Sequence, residues 1–250
     1  MEQIGLLHDG QIYDLQTAEA LNIKGDIIKA DDSKESLEIL RHSCAHMMAQ
    51  AIKELYPEAK FFVGPVVKEG FYYDFKVESK ISDEDLPTIE KKMKEIADRK
   101  LPITRHETTK EEFYEKFKND ELKQAVLKNI KDDTLTIYKQ GDFEDLCRGP
   151  HLPNTRMIRS FKLTRVAGAY LGGDEKNEMI TRIYGIAFFD KQALFDYTKM
   201  IEEAKKRDHR KLGTELELFT FNDDVGAGLP MWLPNGARLR SKLEHLLYKA

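Results

Sequence analysis

The chain has 250 residues, of which 41% are hydrophobic and 34% are charged, and its net charge is −4. This length suffices for one large domain or two smaller ones, and the negative charge excludes nucleic-acid binding driven by overall charge, so any such contact must use local basic patches. No apolar run reaches the roughly 20 residues of a membrane span and the first residues form no signal peptide, so we expect a cytoplasmic protein without membrane contact.

The chain begins with a predicted β-hairpin over residues 4–14. Two short apolar stretches flank His8-Asp9-Gly10, and Asp-Gly is a strong signal for a tight hairpin turn. The segment up to residue 33 is too short to form a core of its own. We therefore expect it to pack against the residues that follow.

A long helix is predicted next, from a capping box over residues 32–35 to Pro57. It carries His42 and His46, which are four residues apart and therefore share one helix face. Histidines at this spacing are also common on surfaces and in satisfied cores. The pair alone does not decide between a ligand pair and an ordinary helix face.

Further elements are predicted from apolar periodicity and turn residues. They are a hairpin over 61–75, a helix over 82–100, a strand over 101–107, a helix capped by Thr109 and Glu112, a polar stretch over 123–133, and strands over 135–138, 161–166 and 179–189. Their order predicts an α+β fold in which an antiparallel sheet packs against helices.

A second pair of candidate ligands, Cys147 and His151, follows a predicted strand. Gly149-Pro150 lies between them, so this stretch is expected to be a loop or a bent strand end. Together with His42 and His46 the pair forms a quartet (hereafter the His/Cys quartet) that matches zinc-ligand chemistry. Four protein ligands fill a tetrahedral zinc, which is the pattern of structural sites, so the residues alone leave open both a metal site and a site that hydrolyses an activated carbonyl.

Protease chemistry is disfavoured because Ser43 stands where the metalloprotease signature has glutamate. Nucleophilic attack by Cys147 is a minor alternative. Cys44 is the other cysteine, and two cysteines inside these motifs indicate reduced thiols.

The last part of the chain begins with a predicted helix over 190–211 that ends in a basic run and is stopped by Gly213. The candidate RNA-binding residues are Lys205, Lys206, Arg207, Arg210 and Lys211. The same run is equally consistent with a solvated helix end that complements the helix dipole. From residue 214 the composition changes, and a helix from residue 237 is still running at residue 250.

Six stretches, in order, resemble the amino-terminal half of bacterial threonyl-tRNA synthetases. They are residues 41–46, Gly64-Pro-Val-Val with Gly70-Phe-Tyr-Tyr-Asp74, Asp145-Leu-Cys-Arg-Gly-Pro-His151, Ala167-Gly-Ala-Tyr170, Arg182-Ile-Tyr-Gly185 and residues 207–212. The resemblance implies an editing domain of the threonyl/alanyl type that hydrolyses seryl-tRNA(Thr), with tRNA(Thr) as partner. Serine and threonine differ by one methyl group, which gives only about 1–3 kcal/mol of discrimination, so a second site is needed.

The resemblance also implies a set of editing residues. They fall on His42, His46, Lys123, Tyr138, Asp145, Cys147 and His151. His42 with Asp145 or Lys123 is expected to handle the water and the ribose hydroxyl. Cys147 and His151 are expected to shape the serine pocket, with Tyr138 binding substrate. Lys123 has the alternative of a solvated helix lysine, and Tyr138 that of an ordinary strand aromatic.

The family pattern implies four parts of the chain. They are a shortened β-grasp-like segment over 1–33, the editing domain over 34–189, a linker helix over 190–213 and the start of a class II catalytic domain over 214–250. ATP with magnesium, a catalytic zinc and dimerisation belong to the absent core, so this chain is expected to edit as a monomer without aminoacylating.

The metal content of the His/Cys quartet is open at this stage. Alanyl-type editing proteins carry a similar quartet as a zinc site, whereas the threonyl branch favours a metal-free site in which side chains and the terminal ribose of the tRNA organise the water. Two other functions remain as alternatives. One is a zinc-dependent alanyl-type trans-editing deacylase, and the other is a non-catalytic tRNA-binding module.

Overall fold

The computed structural model describes residues 2–128, 130–222, 224–226 and 228–249. The chain divides into two compact units, Met1–Leu194 and Phe195–Ala250. The four-part division expected from the sequence stays a prediction.

The elements of the chain up to its second unit form an alternation of strands and helices. In order they are β1 (Gln3–His8), β2 (Gln11–Asp14), α1 (Leu15–Ala20), β3 (Asp26–Lys29), α2 (Lys34–Leu55), β4 (Lys60–Phe61), β5 (Val66–Val67), β6 (Gly70–Lys76), α3 (Leu86–Arg99), β7 (Ile103–Thr109), α4 (Lys110–Lys116), α5 (Glu121–Lys128), β8 (Thr134–Gln140), β9 (Phe143–Leu146), β10 (Ser160–Tyr170) and β11 (Met179–Phe188).

The first three strands form an antiparallel sheet in the order β2-β1-β3. The predicted hairpin turn is confirmed, because Asp9 and Gly10 both adopt positive φ, at 47° and 76°. Ile4 and Ile28 lie in the main core of the unit. The amino-terminal segment therefore packs against the residues that follow, as expected from its length.

Helix α2 is the centre of the first unit. It packs against α3 and against strands β6 and β11, and nearly all its residues from Ser36 to Ile52 are buried. The predicted capping box at its start is wrong: Ser33 is the N-cap but its side chain makes no capping hydrogen bond. The Asp32 carboxylate instead accepts hydrogen bonds from the backbone N–H of Phe189, at 2.7 Å, and of Asp190, at 3.3 Å.

Two further antiparallel sheets complete the unit. One has the order β10-β11-β6-β4, with β5 also paired to β6, and the other has the order β7-β8-β9. Helix α3 buries the predicted stripe of Leu86, Ile89, Met93 and Ile96. The predicted α+β fold is confirmed, although β10 continues to Tyr170 beyond its predicted end at Val166.

The stretch over 123–133 begins with a helix that the sequence pattern did not predict. Directly before α5, the Asp120 carboxylate accepts hydrogen bonds from the backbone N–H groups of Leu122 and Lys123, both at 3.1 Å. Leu122, Lys123 and Leu127 form the buried face of this helix. A lysine at a buried position hid the helical pattern.

The second unit begins within α6 (Lys191–Lys206) and contains α7 (His209–Glu215), β12 (Phe219–Phe221), β13 (Pro230–Trp232) and α8 (Pro234–Lys249). The single helix predicted over 190–211 is wrong. Asp208 has a non-helical ψ of 123° and its side chain caps α7 by accepting a hydrogen bond from the N–H of Arg210 at 2.8 Å. Gly213 lies inside α7 and does not end it. A Cβ at this position would lie 2.4 Å from the Phe219 ring, so the glycine allows that ring to pack against the helix.

In the part of the chain that the structure describes, no helix combines the length and the apolar character needed to cross a lipid bilayer.

Candidate active site

The two histidines of α2 and the two candidate ligands of the loop after β9 come together. Their ligand atoms all lie within 4.8 Å of one another. Cys147 Sγ is 3.2 Å from Nε2 of His42 and 3.2 Å from Nε2 of His151. The ring centroids of His46 and His151 are 4.4 Å apart. His46 and His151 are buried, whereas His42 and Cys147 are partly exposed, so one side of the quartet faces solvent.

The loop that carries Cys147 and His151 is held by a glycine whose positive φ and close packing disfavour any side chain at this position. Gly149 has a φ of 75°, and its N–H donates a hydrogen bond to Cys147 Sγ at 3.1 Å. A Cβ on Gly149 would lie 2.6 Å from the hydroxyl oxygen of Tyr138. The loop predicted from Gly149-Pro150 is therefore confirmed, and its tight packing aims both side chains at α2.

Ser43 decides which nitrogen of His151 carries the proton. Its single hydroxyl proton goes to the carbonyl of Ile39, 2.9 Å away, and its oxygen accepts a hydrogen bond from the N–H of Leu152 at 2.8 Å. The remaining contact, 3.2 Å to His151 Nδ1, must then be donated by the imidazole. Nε2 of His151 is left with its lone pair facing Cys147, which is the arrangement of a ligand or a proton acceptor. From the sequence, Ser43 was interpreted only as a mismatch to a protease motif.

Removal from bulk water keeps the quartet uncharged. Burial lowers the pKa of His42 to about 4 and that of His46 to about 3, although the negative charge of Asp145 opposes both shifts. Burial and the two neighbouring imidazoles also lower the pKa of His151. Burial raises the pKa of the Cys147 thiol, an effect that the Gly149 N–H only partly offsets. The raised thiol pKa argues against Cys147 as a nucleophile.

A buried ion pair lies next to the quartet. Asp145, at the end of β9, accepts a hydrogen bond from the Lys123 ammonium of α5, one from the hydroxyl of Tyr73 on β6, and one from the N–H of Leu146 at 2.8 Å. Burial is the largest influence on Asp145 and raises its pKa, but the Lys123 charge, the neighbouring His46 and the hydrogen bonds from Lys123 and Tyr73 together outweigh burial, so the net pKa lies below its ordinary value. The Tyr73 ring centroid is 6.1 Å from that of His46, which links the ion pair to the quartet.

These contacts settle the alternative for Lys123. The residue is only 4% exposed, so it is not a solvated helix lysine. Tyr73 was missed among the candidate site residues. The signal that marks it is its place in the stretch Gly70-Phe-Tyr-Tyr-Asp74, where Tyr73 alternates with Phe71 and Phe75 as the buried face of β6.

Tyr138 lies on β8 beneath the loop. It is buried, and its ring centroid is 4.5 Å from that of His151. Its hydroxyl donates a hydrogen bond to Asp14 at 2.6 Å and lies 2.9 Å from the hydroxyl oxygen of Thr17. Asp14 and Thr17 belong to the amino-terminal segment and were not predicted as site residues. Substrate binding by Tyr138 stays a prediction.

A cleft of about 430 Å³ opens beside the ion pair, within the usual size range of small-molecule sites. Lys123, Asp145, Phe61 and Phe143 contribute to its walls. The cleft combines apolar rings with a buried charge pair. A small polar ligand could therefore pack against the rings and form hydrogen bonds with the charged groups.

Comparison with known proteins identifies the family. The family model described as "Threonyl and Alanyl tRNA synthetase second additional domain" matches residues 135–184, which include Asp145, Cys147 and His151. A threonine--tRNA ligase of Campylobacter lari is 72% identical over 220 residues, covering 88% of this chain and 36% of the relative. Those of Campylobacter jejuni and Helicobacter hepaticus are 67% and 65% identical over 248 and 249 residues, covering 99% and 100% of this chain and 41% of each relative.

The chain belongs to the threonine--tRNA ligase family. The resemblance predicted from the six stretches is thereby confirmed. The chain spans about 36–41% of the length of these relatives.

The His/Cys quartet of this chain could hold a metal ion. Three uncharged imidazoles and one thiol form a donor set that suits zinc, and the two nitrogen-to-sulfur separations of 3.2 Å are close to the edges of a tetrahedral site. The residues therefore fit a four-coordinate metal that would tie the loop to α2.

The candidate RNA-binding residues lie in the second unit, on both sides of the break between α6 and α7. All five are exposed. Four of them have an acidic neighbour in the same segment: Lys206 and Arg207 contact Glu203 at 2.7 and 3.8 Å, Arg210 contacts Asp208 at 3.7 Å, and Lys211 contacts Glu215 at 3.8 Å. The run is therefore not one helix face, and its role in binding RNA stays a prediction.

Proposed function

We propose that this chain is the editing part of a threonine--tRNA ligase and hydrolyses the ester bond of seryl-tRNA(Thr). The observation that carries the proposal is the uncharged His/Cys quartet beside the buried Lys123–Asp145 pair, in a chain of this family. The proposal extends to tRNA(Thr) as partner and to ATP-dependent ligation of threonine and dimerisation by the whole protein.

The chemistry of discrimination supports such a site. Rejecting serine at a pocket built for threonine relies on one missing methyl group, which supplies only about 1–3 kcal/mol. Hydrolysis at a second site that admits the smaller amino acid removes the error. A cleft of about 430 Å³ with a buried charge pair in its wall suits a serine ester, whose hydroxyl and amino groups need polar partners.

His42 is the proposed general base. It is partly exposed and its pKa is lowered by burial to about 4, so at neutral pH its imidazole is uncharged and able to accept a proton from water. The Lys123 ammonium, held by Asp145, is the proposed electrostatic partner of the ribose hydroxyl or of the oxyanion that forms at the ester carbon. Cys147 and His151 are the proposed shaping residues of the serine site; they do not line the cleft of about 430 Å³ itself, which adjoins the quartet through Asp145.

The same quartet would hold a zinc ion through His42, His46, Cys147 and His151, and such an ion supplies Lewis acidity and a rigid link between loop and helix. Four protein ligands complete a tetrahedral coordination and leave no position for a water molecule. Such an ion would also occupy the His42 nitrogen that serves as the base. The proposal therefore takes the metal-free quartet as the hydrolytic form and assigns the water to side chains and to the terminal ribose of the tRNA.

The test is deacylation of seryl-tRNA(Thr) and of threonyl-tRNA(Thr) by the 250-residue chain, with and without a zinc chelator. We expect serine-selective hydrolysis that survives chelation. His42→Ala is expected to abolish it, whereas His8→Ala, which replaces a half-exposed histidine of β1, serves as the matched control.

Two other results would replace the proposal. Loss of hydrolysis on chelation, together with preference for another mischarged tRNA, would favour a zinc-dependent alanyl-type deacylase. Tight binding of tRNA by a folded chain that hydrolyses neither ester would favour a non-catalytic binding module.

A further inference from the structure

Asp14, the last residue of β2, lies outside every stretch that carries the resemblance to the family, yet its carboxylate reaches the candidate site. It is 2% exposed. One carboxylate oxygen, Oδ1, accepts a hydrogen bond from the N–H of Thr17 at 2.7 Å and so caps α1. The other, Oδ2, accepts one from the Tyr138 hydroxyl at 2.6 Å and one from the N–H of His151 at 3.0 Å.

The loop of the quartet is packed directly onto this carboxylate. A Cβ added to Gly149 would lie 2.7 Å from Asp14 Oδ2. His151 is therefore held from two sides: its backbone N–H by Asp14 and its Nδ1 by Ser43, 3.2 Å away. Because Asp14 acts on the backbone, it sets where the loop lies, whereas Ser43 sets how the imidazole is turned.

The amino-terminal segment is also attached at a second place, which keeps Asp14 in position. The Gln16 side-chain amide donates a hydrogen bond to the carbonyl of Ile103 at 2.6 Å and accepts one from the N–H of Arg105 at 2.7 Å. Both partners lie on β7, the neighbour of β8, which carries Tyr138. Helix α1 thus bridges the β7-β8-β9 sheet and the loop.

We propose that Asp14 is a positioning residue of the deacylation site, and that the amino-terminal segment serves to hold His151 and Cys147 in their positions next to His42. The inference rests on the proposed function for its kinetic readout only. It predicts that removal of the carboxylate frees the loop without dissolving the core, because Ile4 and Ile28 still anchor the segment.

The experiment compares Asp14→Ala with Asp26→Ala, which removes an exposed carboxylate from the same amino-terminal sheet. For seryl-tRNA(Thr) hydrolysis we expect Asp14→Ala to lower kcat at least tenfold, with KM changed less than threefold, and Asp26→Ala to match the parent chain. Asp14→Asn keeps one acceptor oxygen and should recover part of kcat.

The second readout is the reactivity of the two thiols with Ellman's reagent in a folded chain. Cys147 lies in the loop and Cys44 is fully buried in the core. We expect Asp14→Ala to speed the reaction of Cys147 at least tenfold and to leave Cys44 unreactive. Tyr138→Phe, which removes one donor to Asp14, should speed it to a smaller extent and covers the case in which Asp14→Ala does not fold.

Unchanged kcat and unchanged Cys147 reactivity in Asp14→Ala would overturn the inference. Parallel acceleration of both thiols would also overturn it, because that result indicates global unfolding. If the parent chain hydrolyses no ester, the proposed function fails, but the thiol reaction still decides whether Asp14 holds the loop.

Discussion

The Lys123 ammonium and the Asp145 carboxylate form an ion pair in which the two side chains are only 5% and 3% exposed. They belong to α5 and to the end of β9, so the pair joins a short helix to the strand that leads into Cys147. The Tyr73 hydroxyl completes the group by donating to the same carboxylate, and burial raises the pKa of Tyr73, so it keeps its proton. Because a buried charge is costly without its partner, this pair fixes the positions of both side chains in the site.

Lys123→Met is expected to destabilise the chain by about 3–5 kcal/mol, because it leaves the Asp145 charge buried without its cation. Lys76→Met is the matched control, since Lys76 is 41% exposed in its ion pairs with Glu121 and Glu178 and should cost less than about 1 kcal/mol. Urea unfolding at neutral pH measures both. Equal destabilisation by the two variants would contradict a dominant role for the buried pair.

The pH dependence of the same pair has a defined sign. The folded-state pKa of Asp145 lies below its ordinary value of 3.8, so the carboxylate contributes stability that is present above that pH and is lost as pH falls towards the folded pKa. In Lys123→Met, burial without the cation raises that pKa. We therefore expect the difference in unfolding free energy between the parent and Lys123→Met to shrink as pH falls below about 5. A difference that is constant with pH would contradict the assignment.

The histidines of the quartet predict acid instability in the metal-free chain. The folded pKa values of His42 and His46 are about 4 and about 3, below the ordinary value of 6.5. Just below pH 6.5, these two histidines are therefore protonated in the unfolded chain but not in the folded chain. Stability is therefore full above about pH 6.5 and falls by about 1.4 kcal/mol per pH unit for each buried histidine as pH decreases towards 4. Urea midpoints measured with chelator between about pH 7 and pH 5 test this.

Replacing His46 supplies the control for that experiment. His46→Leu removes one of the three depressed groups and should reduce the pH slope by about one third, whereas His8→Ala should leave it unchanged because His8 is half-exposed. An unchanged slope in His46→Leu would show that other groups cause the acid instability.

Ser43→Ala is expected to destabilise the chain by about 1–3 kcal/mol, because it leaves the N–H of Leu152 and Nδ1 of His151 without their acceptor in a buried place. It should also lower the rate of ester hydrolysis, since the His151 ring is then no longer held in its orientation. Ser33→Ala is the control, as the Ser33 side chain makes no capping hydrogen bond. Chemical denaturation and the deacylation rate of both variants provide the measurement. Equal unfolding free energies and equal deacylation rates of Ser43→Ala and Ser33→Ala would refute the assignment of the His151 proton to Nδ1.

The salt dependence of tRNA binding tests the role of the basic run in the second unit. If Arg207 and Arg210 bind phosphates of the tRNA, replacing both with alanine should reduce the slope of log K for tRNA binding against log salt by about 0.7–0.9 for each phosphate that is no longer neutralised. Lys242→Ala, on the exposed part of α8, is the control. An unchanged slope would support the alternative, in which the run is a solvated helix end paired with Glu203 and Asp208.

Local patterns in the sequence predicted much of this chain correctly. The helical spacing of His42 and His46, the Asp9-Gly10 turn, the apolar stripe of α3 and the loop at Gly149-Pro150 each depend on neighbouring residues, so periodicity and turn chemistry suffice to predict them. The resemblance to the family rests on residue identity, and the identity of this chain to known relatives confirmed it. The break at Asp208 was missed because a capping aspartate inside a basic run looks like one more surface charge.

The tertiary structure decided which polar residues surround the quartet. Asp14 meets His151 across 137 residues, Ser43 meets it across 108, and Lys123 meets Asp145 across 22. Sequence patterns report which face of an element is apolar, and a lone aspartate, serine or lysine reads there as solvent-exposed. Such a residue becomes part of a site only when packing excludes water around it and leaves each donor one remaining acceptor, and that pairing depends on contacts between elements distant in the chain.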